Sequence, residues 1–228
     1  MSLLVAPCGS DAASHAVKHW HYARALPQGK KVCFGVWETS GFVGAVVFSQ
    51  GANWRMGRPY GLGFDECVEL TRVALRGHVA PVSQIVADAL RQLKSSHSSV
   101  QMVISYADPA QGHHGGIYQA GNWVYLGRTP SGYSFRLPDG RLVHKRSYTG
   151  VNFMGDALPI PSGARRVKTE GKHRYAYPMN RRMRKQVAPL ALPYPHADED
   201  SRGSRLGSTG EGRVRSPASA PTVSRVRS

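Results

Sequence analysis

Cysteine is scarce in this chain: Cys8, Cys33 and Cys67 are the three among 228 residues. An odd number with no C-x-x-C pair gives neither a disulfide framework nor a cysteine-built zinc site. A reducing compartment fits that usage. Long apolar runs are missing too. Nothing approaches the roughly 18 residues a bilayer-spanning helix needs. The start, MSLLVAPCGS, is apolar for only a few residues and lacks a basic lead, so it does not read as a secretory signal. A soluble protein with no membrane partner is expected. Acid is the third deficit, with 14 Asp and Glu against 30 Lys and Arg and a formal net charge of +16. Such an excess predicts a polyanionic partner, nucleic acid first and a membrane surface second.

What is present is enough for one sizeable core. Apolar patterning is dense over residues 11–150 and thins afterwards. Residues 196–228, HADEDSRGSRLGSTGEGRVRSPASAPTVSRVRS, are Ser, Gly, Arg and Pro with almost no large apolar side chains. They cannot bury enough surface to offset ordering entropy, and a disordered basic tail is predicted. No internal repeat is visible.

SDAASHAVKHWHYARAL predicts a first helix, capped by Ser10 or Asp11 and ended before Pro27 and Gly29. KVCFGVWE and FVGAVVFS, separated by TSG, predict a hairpin. DECVELTRVAL gives a third strand with Val68, Leu70 and Val73 inward. PVSQIVADALRQLKSSH is the clearest helix, with Val82, Ile85, Val86, Ala89, Leu90 and Leu93 on one face. Then come a buried strand, SVQMVISYAD, a short helix in PAQGHHGGIYQAG, a strand, WVYLGRT, and a hairpin around Pro138-Asp139-Gly140. The expected class is α+β, a mixed α/β single domain whose central, mostly antiparallel twisted sheet has six to seven strands flanked by helices. The order hairpin, strand, long helix, strand, short helix, strand resembles the GNAT acyltransferase fold. Residues 1–160 are expected to be the catalytic domain and 161–195 a basic DNA-contacting extension packed on or near the core.

Four places can carry chemistry. In ELTRVALRGHVAPVSQ a strand runs through a small-residue loop into the long helix, whose N-terminal N–H groups suit an anion. Arg72, Arg76, Gly77 and Ser83 are the candidate cofactor contacts there. GNAT enzymes hold the pyrophosphate of an acyl-CoA at this position on a glycine-rich loop; here only Gly77 of that pattern remains, and Pro81 sits within it. HWHYAR crowds His19, Trp20, His21, Tyr22 and Arg24 onto the first helix, where His21 is a candidate base or metal ligand and equally a half-buried structural histidine. In SYADPAQGHHGGIYQAGNWVYLG, strand alternation puts Tyr106 and Asp108 on one face at a strand's carboxyl end. Asp108 also stands where it would cap a following turn. His113 and His114 precede two glycines that permit close approach to the backbone, and Tyr118 and Trp123 offer faces on which a nucleobase can stack. The fourth is RRVKTEGKHRYAYPMNRRMRK, from Arg165 to Lys185, where cations alternate with tyrosines and MNRRMRKQVAPL reads as a short basic helix. Arg165, Arg166, Arg174, Arg181, Arg182, Arg184 and Lys185 are its candidate DNA contacts.

HWHYARALPQGKKVCFGVWE, FVGAVVFSQGAN, ELTRVALRGHVAPVSQIVADALRQLK, SYADPAQGHHGGIYQAGNWVYLG and HRYAYPMNRRMRKQVAPLALPYP, in this order over residues 11–195, together resemble the bacteriophage Mom DNA-modification family. The resemblance implies a divergent GNAT member acting in the cytoplasm of an infected bacterial host. It implies conversion of adenine N6 in double-stranded DNA to N6-carbamoylmethyl-adenine, which shields phage DNA from restriction. The family's activity-linked motifs fall on His21, Tyr22, Arg72, Ser83, Tyr106 and Asp108, with Ala23 where a serine is common. Acetyl-CoA or another activated donor, such as a glycine derivative, and iron are the cofactors it implies. Adenine N6 is a weak nucleophile whose lone pair is delocalised, so a base such as His21 or Asp108 must take its proton. The base must also be flipped out of the duplex, and Tyr22, Tyr106 or Tyr118 could hold it. The carbamoylmethyl group joins through a carbon that is not a carbonyl carbon, so plain acetyl transfer, which gives an amide, does not make this product. An acyltransferase acting on a protein or small amine and a non-catalytic DNA-binding protein are the alternatives.

Overall fold

The computed structural model describes residues 2–196 apart from 52, 54, 146, 147 and 149–158. The strands are β1 (Leu4–Pro7), β2 (Lys31–Glu38), β3 (Gly41–Ser49), β4 (Cys67–Leu75), β5 (Met102–Ala107), β6 (Val124–Arg128), β7 (Gly132–Arg136), β8 (Leu142–His144), β9 (Arg165–Thr169) and β10 (His173–Pro178). The helices are α1 (Ser10–Trp20), α2 (Val82–Ser96), α3 (Gly116–Ala120) and α4 (Arg181–Val187). Seven strands form the main sheet in the order β1-β2-β3-β4-β5-β10-β6, and β8-β7-β9 form a small second sheet. Every neighbour in the main sheet is antiparallel except β4 and β5, which are parallel. The predicted α+β class and the order hairpin, strand, long helix, strand, short helix, strand are both observed.

Side-chain alternation divides the main sheet into two faces. Val46, Phe48, Val68, Leu70 and Val103 point to the face covered by α2, which buries Ile85, Val86, Ala89, Leu90 and Leu93 against them. Full burial of one such aliphatic side chain contributes about 1.5–3 kcal/mol, and Leu93→Ala at this fully buried position should cost about 2–5 kcal/mol. The opposite face carries two helices. α1 packs Ala13, Ala16 and Val17 on Cys33, Ala45, Val47 and Ala74. α4 packs Met183 and Val187 on Met102, Ile104 and Ala176.

Three expectations are corrected. Helix α1 stops at Trp20, with His21 in extended backbone and Arg24 in the left-handed region (φ 54°), so His21, Tyr22 and Arg24 belong to a turn and share no helical face. No side chain caps the start of α1, where Gly9 stands. The segment expected as an extension lies inside the sheet: β10 is hydrogen-bonded between β5 and β6, and Met1–Pro195 form one compact unit. In HRYAYP, His173 and Tyr175 are buried on the α2 face and Ala176 on the α4 face, so the strand is covered on both sides although cations surround it in sequence. The basic helix expected in this segment is α4, started by Asn180, whose side chain accepts from the Met183 N–H at 2.9 Å. The predicted tail, beyond residue 196, and the end of the predicted hairpin at 146–147 lie outside the described residues.

Candidate active site

The parallel strands β4 and β5 pair only at Cys67–Met102, Val68–Val103 and Glu69–Ile104, although β4 continues to Leu75 and β5 to Ala107. Beyond that point the sheet is split at the strands' carboxyl ends, the place where open sheets leave room for a ligand. Backbone groups exposed by a split need other partners. The Ser105 hydroxyl spans it, donating to the Leu70 carbonyl at 2.9 Å. The Tyr118 hydroxyl lies 2.8 Å from the same oxygen. Tyr118 is 7% exposed, and burial pushes its pKa up to about 12. It is therefore the inner wall of the split. Trp123 is 1% exposed and packs on Tyr118 and Tyr177. Neither residue is a stacking surface as the sequence suggested, because both side chains belong to the α2-side core.

On the opposite face, between α1 and α4, a polar group spans three strands. Glu69 and Arg72 come from β4, Tyr106 from β5, and Arg174 from β10, directly opposite Tyr106. Burial first, then the Glu69 charge, raise the Tyr106 hydroxyl to about 12, so it is a neutral donor at physiological pH. Arg174 donates to the Leu126 carbonyl at 3.2 Å and turns its Nε into the protein interior, where no described group accepts from it. Arg174 is half-buried, unlike the exposed arginines of β9 and α4. The turn after β3 crosses close to Glu69: Gly51 has φ 65°, and a Cβ there would collide with the Glu69 carboxylate. Glu69 does not stand out in the sequence, where it reads as the polar half of an ordinary strand alternation.

The rim is built by two turns. Arg72 Nε donates to the Ala25 carbonyl at 3.1 Å and ties the turn after α1 to β4. The Tyr22 ring stacks on His21 at 4.3 Å between centroids and meets His113 edge-on at 6.0 Å. Tyr22 is 55% exposed, the one predicted aromatic whose face is open. Desolvation, then the Arg72 charge, then His113 hold the His21 pKa at about 4, so the ring is neutral at pH 7. The His21 Nδ1 accepts from the Ala23 N–H at 3.0 Å, which places the neutral ring's proton on Nε2. In that state His21 offers a donor, not a base.

Asp108 has both oxygens engaged. Oδ1 accepts from the Ala110 N–H at 3.1 Å as the cap of a one-turn 3-10 helix, and Oδ2 pairs with Lys172 Nζ at 2.8 Å. The glycines after His113 and His114 admit a side chain: the Tyr175 hydroxyl donates to the His114 carbonyl at 2.6 Å, and a Cβ on Gly115 would strike its ring. His21, Tyr22, Arg72 and His113 are thus brought together, and Tyr106 and Arg174 share the adjoining floor.

The candidate cofactor contacts have separate surroundings. Arg72 is spent on the Ala25 and Thr71 carbonyls. Arg76 lies over the Trp20 ring, 4.9 Å from its centroid. Gly77 is in the loop, and Ser83 is in the first turn of α2. The Val79 and Ala80 N–H groups that precede α2 are held by the Glu38 carboxylate at 2.8–3.0 Å. As placed here, Arg72, Arg76 and the Val79 and Ala80 N–H groups do not fit an acyl-CoA pyrophosphate. For iron, no three His, Cys, Asp or Glu side chains among the described residues gather into a ligand set.

The basic residues divide. Arg165 and Arg166 are exposed on β9, with Arg166 3.9 Å above the Tyr133 ring. Arg181, Arg182, Arg184 and Lys185 are exposed on α4, where Arg182 donates to Gln101. Arg181 and Arg184 face Arg91 and Lys94 of α2 across a groove of about 460 Å³ floored by Tyr177, Pro178 and Met179. Arg91 and Lys94 cannot be linked to this segment from sequence, because only the insertion of β10 brings the start of α4 to the sheet end where the later turns of α2 lie. Among the described residues no helix is long and apolar enough to cross a membrane.

A seven-stranded mixed sheet split between two parallel strands, with a polar floor and an exposed tyrosine, defines the class: an open α+β sheet with room at its strand ends and a strongly basic flank. The model of the Mom protein family matches residues 2–196, and the chain belongs to that family. It is 26% identical over 185 residues to methylcarbamoylase mom of Escherichia phage Mu, covering 77% of this chain and 76% of that protein. Among solved structures it is similar to the spermidine/spermine N-acetyltransferase SpeG of Vibrio cholerae (7% identity, TM-score 0.45, 80% of this chain and 96% of that one). It is also similar to FeeM, an N-acyl amino acid synthase from uncultured soil microbes (12% identity, TM-score 0.43, 83% and 97%).

Proposed function

We propose that this chain is a phage DNA-modification enzyme that places a carbamoylmethyl group on the N6 amine of adenine, working in the cytoplasm of the infected host and protecting phage DNA from restriction. Membership of the Mom family across residues 2–196 supports the substrate and product. The observation that carries the chemistry is the split between β4 and β5, with Glu69 and Tyr106 on its floor and Tyr22 open at its rim.

In this reading a flipped adenine stacks on the exposed Tyr22 ring, whose other face is backed by His21. His21, with its proton on Nε2, donates to an acceptor on the base edge. Glu69 takes the N6 proton as nitrogen forms its bond to the electrophilic carbon of an activated donor, whose leaving group departs with the bonding electron pair. Neutral Tyr106 supplies a hydroxyl donor on the same floor, and the Arg174 cation keeps that floor suited to anionic charge. Asp108 acts as a positioning residue, because it fixes the turn that carries His113: the Asp108 carbonyl accepts the His113 N–H at 3.1 Å. No step is assigned to acetyl-CoA or to iron.

Double-stranded DNA is the partner that the net charge of +16 favours. Exposed Arg165 and Arg166 of β9 and the basic groove between α2 and α4 provide separate backbone contacts. The test is Glu69→Gln in cells carrying a reporter plasmid, with the DNA digested to nucleosides and analysed by mass spectrometry. A general-base role predicts a loss of about 10²–10⁴-fold in modified adenosine with an unchanged melting profile. Wild-type levels of product in this variant would remove Glu69 from the mechanism.

A further inference from the structure

The turn joining β4 to α2 is closed by a side chain from another part of the sheet. Glu38 ends β2 and reaches across to the residues that precede α2. The Val79 N–H donates to Oε1 at 3.0 Å and Oε2 at 2.9 Å, and the Ala80 N–H donates to Oε1 at 2.8 Å. Successive backbone N–H groups converging on a carboxylate are the arrangement by which loops bind anionic ligands.

Neighbouring groups of this turn have partners too. Pro81 has no N–H. The Gln84 and Ile85 N–H groups return to the Pro81 carbonyl, and the Arg76 N–H goes to the Val43 carbonyl at 2.9 Å. The Arg76 guanidinium lies over Trp20, with Nη2 3.4 Å from the Phe42 carbonyl. His78 Nδ1 sits 2.8 Å from the Ala80 carbonyl and braces the turn from within. The two N–H bonds also hold the Glu38 pKa below the ordinary carboxylate value, so this internal anion is charged at neutral pH.

We infer that Glu38 is the resident anion of the β4–α2 turn, that it closes the turn to a phosphate or pyrophosphate group, and that the charged arm of any activated donor docks elsewhere on this chain. A phosphate entering here would have to displace a carboxylate that already satisfies both N–H groups, and it would meet like charge while doing so. Arg76, the cation best placed in sequence to help, is turned away to an aromatic ring. Glu38 holds these N–H groups whether or not adenine is the substrate.

Amide NMR on the full chain tests it, with inorganic pyrophosphate and coenzyme A as separate probes. In the wild-type protein the Val79 and Ala80 cross-peaks should stay fixed through millimolar additions of either. In Glu38→Ala, which frees both N–H groups, the same peaks should move with pyrophosphate, at an affinity at least about tenfold above wild type. Glu38→Gln keeps the shape of the side chain and removes its charge, so it should gain pyrophosphate binding in the same direction; it decides the matter if the alanine variant does not fold. Saturable movement of both peaks in the wild type would overturn the inference. So would a folded Glu38→Ala or Glu38→Gln chain that gains no pyrophosphate binding.

Discussion

Tyr118→Phe and Tyr22→Ala separate a core tyrosine from a working one. The Tyr118 hydroxyl is buried and has one described hydrogen-bond partner, Ser105, which keeps its own bond to the Leu70 carbonyl when Tyr118 is changed. Loss of one such bond, with no polar group orphaned, costs about 1 kcal/mol. For a unit spanning Met1–Pro195 that lowers the melting temperature by roughly 2–4 °C. The ring itself remains, so the split stays shaped and DNA modification should continue at close to the wild-type level. Tyr22 is the reverse case. Its exposed ring contributes little to the core, and Tyr22→Ala should change stability by less than about 0.5 kcal/mol. If it is the stacking platform for the flipped base, worth about 1–3 kcal/mol, modification falls roughly 5–150-fold. Both variants are read by nucleoside mass spectrometry of plasmid DNA from the expressing cells, with thermal melts of the purified chains. A Tyr118→Phe chain with an unchanged melt and no product would refute the placement of Tyr118 as a wall. A Tyr22→Ala chain with undiminished product would refute the platform.

His21 carries a pH signature. Its pKa is held at about 4 in the fold against 6.5 for an ordinary histidine, so between those values the unfolded chain binds the extra proton and stability falls as pH drops. Because the ring is partly exposed, the loss is on the order of 1–2 kcal/mol; His21→Gln should flatten that slope in denaturant melts from pH 7 to pH 4. Asp108→Asn keeps an oxygen for the Ala110 N–H and gives up the pair with half-exposed Lys172, worth about 0.2–1 kcal/mol. Product should then persist within about tenfold of wild type, and its complete loss would return Asp108 to the role of base. Replacing Lys94 and Arg184 together by Gln should lower the slope of log affinity against log salt for duplex DNA by about 0.9 for each phosphate no longer neutralised, with no dependence on sequence; an unchanged slope would remove the α2–α4 groove from the DNA path.

The parts of this fold that sequence revealed are those whose cause is local. The period of Ile85, Val86, Ala89, Leu90 and Leu93 alone specifies α2, and the paired apolar runs around Thr39-Ser40 specify the β2–β3 hairpin. The end of α1 is hidden because no Gly or Pro marks it: His21 turns extended, its Nδ1 takes the Ala23 N–H, and Arg24 adopts the left-handed region. β10 was hidden because its sheet partners, β5 and β6, precede it by tens of residues, and the cations around it resemble a solvated segment. The site divides in the same way. His21, Tyr22 and Tyr106 stood out by composition and motif. Glu69 did not, since its importance follows from where β4 and β5 part. Tyr118 and Trp123 mislead because an aromatic beside glycines reads alike in a core and in a cleft. Glu38 and the turn before α2 are joined by hydrogen bonds over 41 and 42 residues, a separation that no motif reports.

The central claim is that adenine N6 in DNA is modified at the split between β4 and β5. Its most direct measurement is mass spectrometry of nucleosides from plasmid DNA in cells producing the wild-type chain, Glu69→Gln or no protein. Carbamoylmethyl on adenine N6 in the wild-type sample, and its loss in Glu69→Gln at equal protein level and equal melting temperature, is the predicted result. Unmodified adenine in the wild-type sample would contradict the function, and undiminished product in the variant would contradict the site.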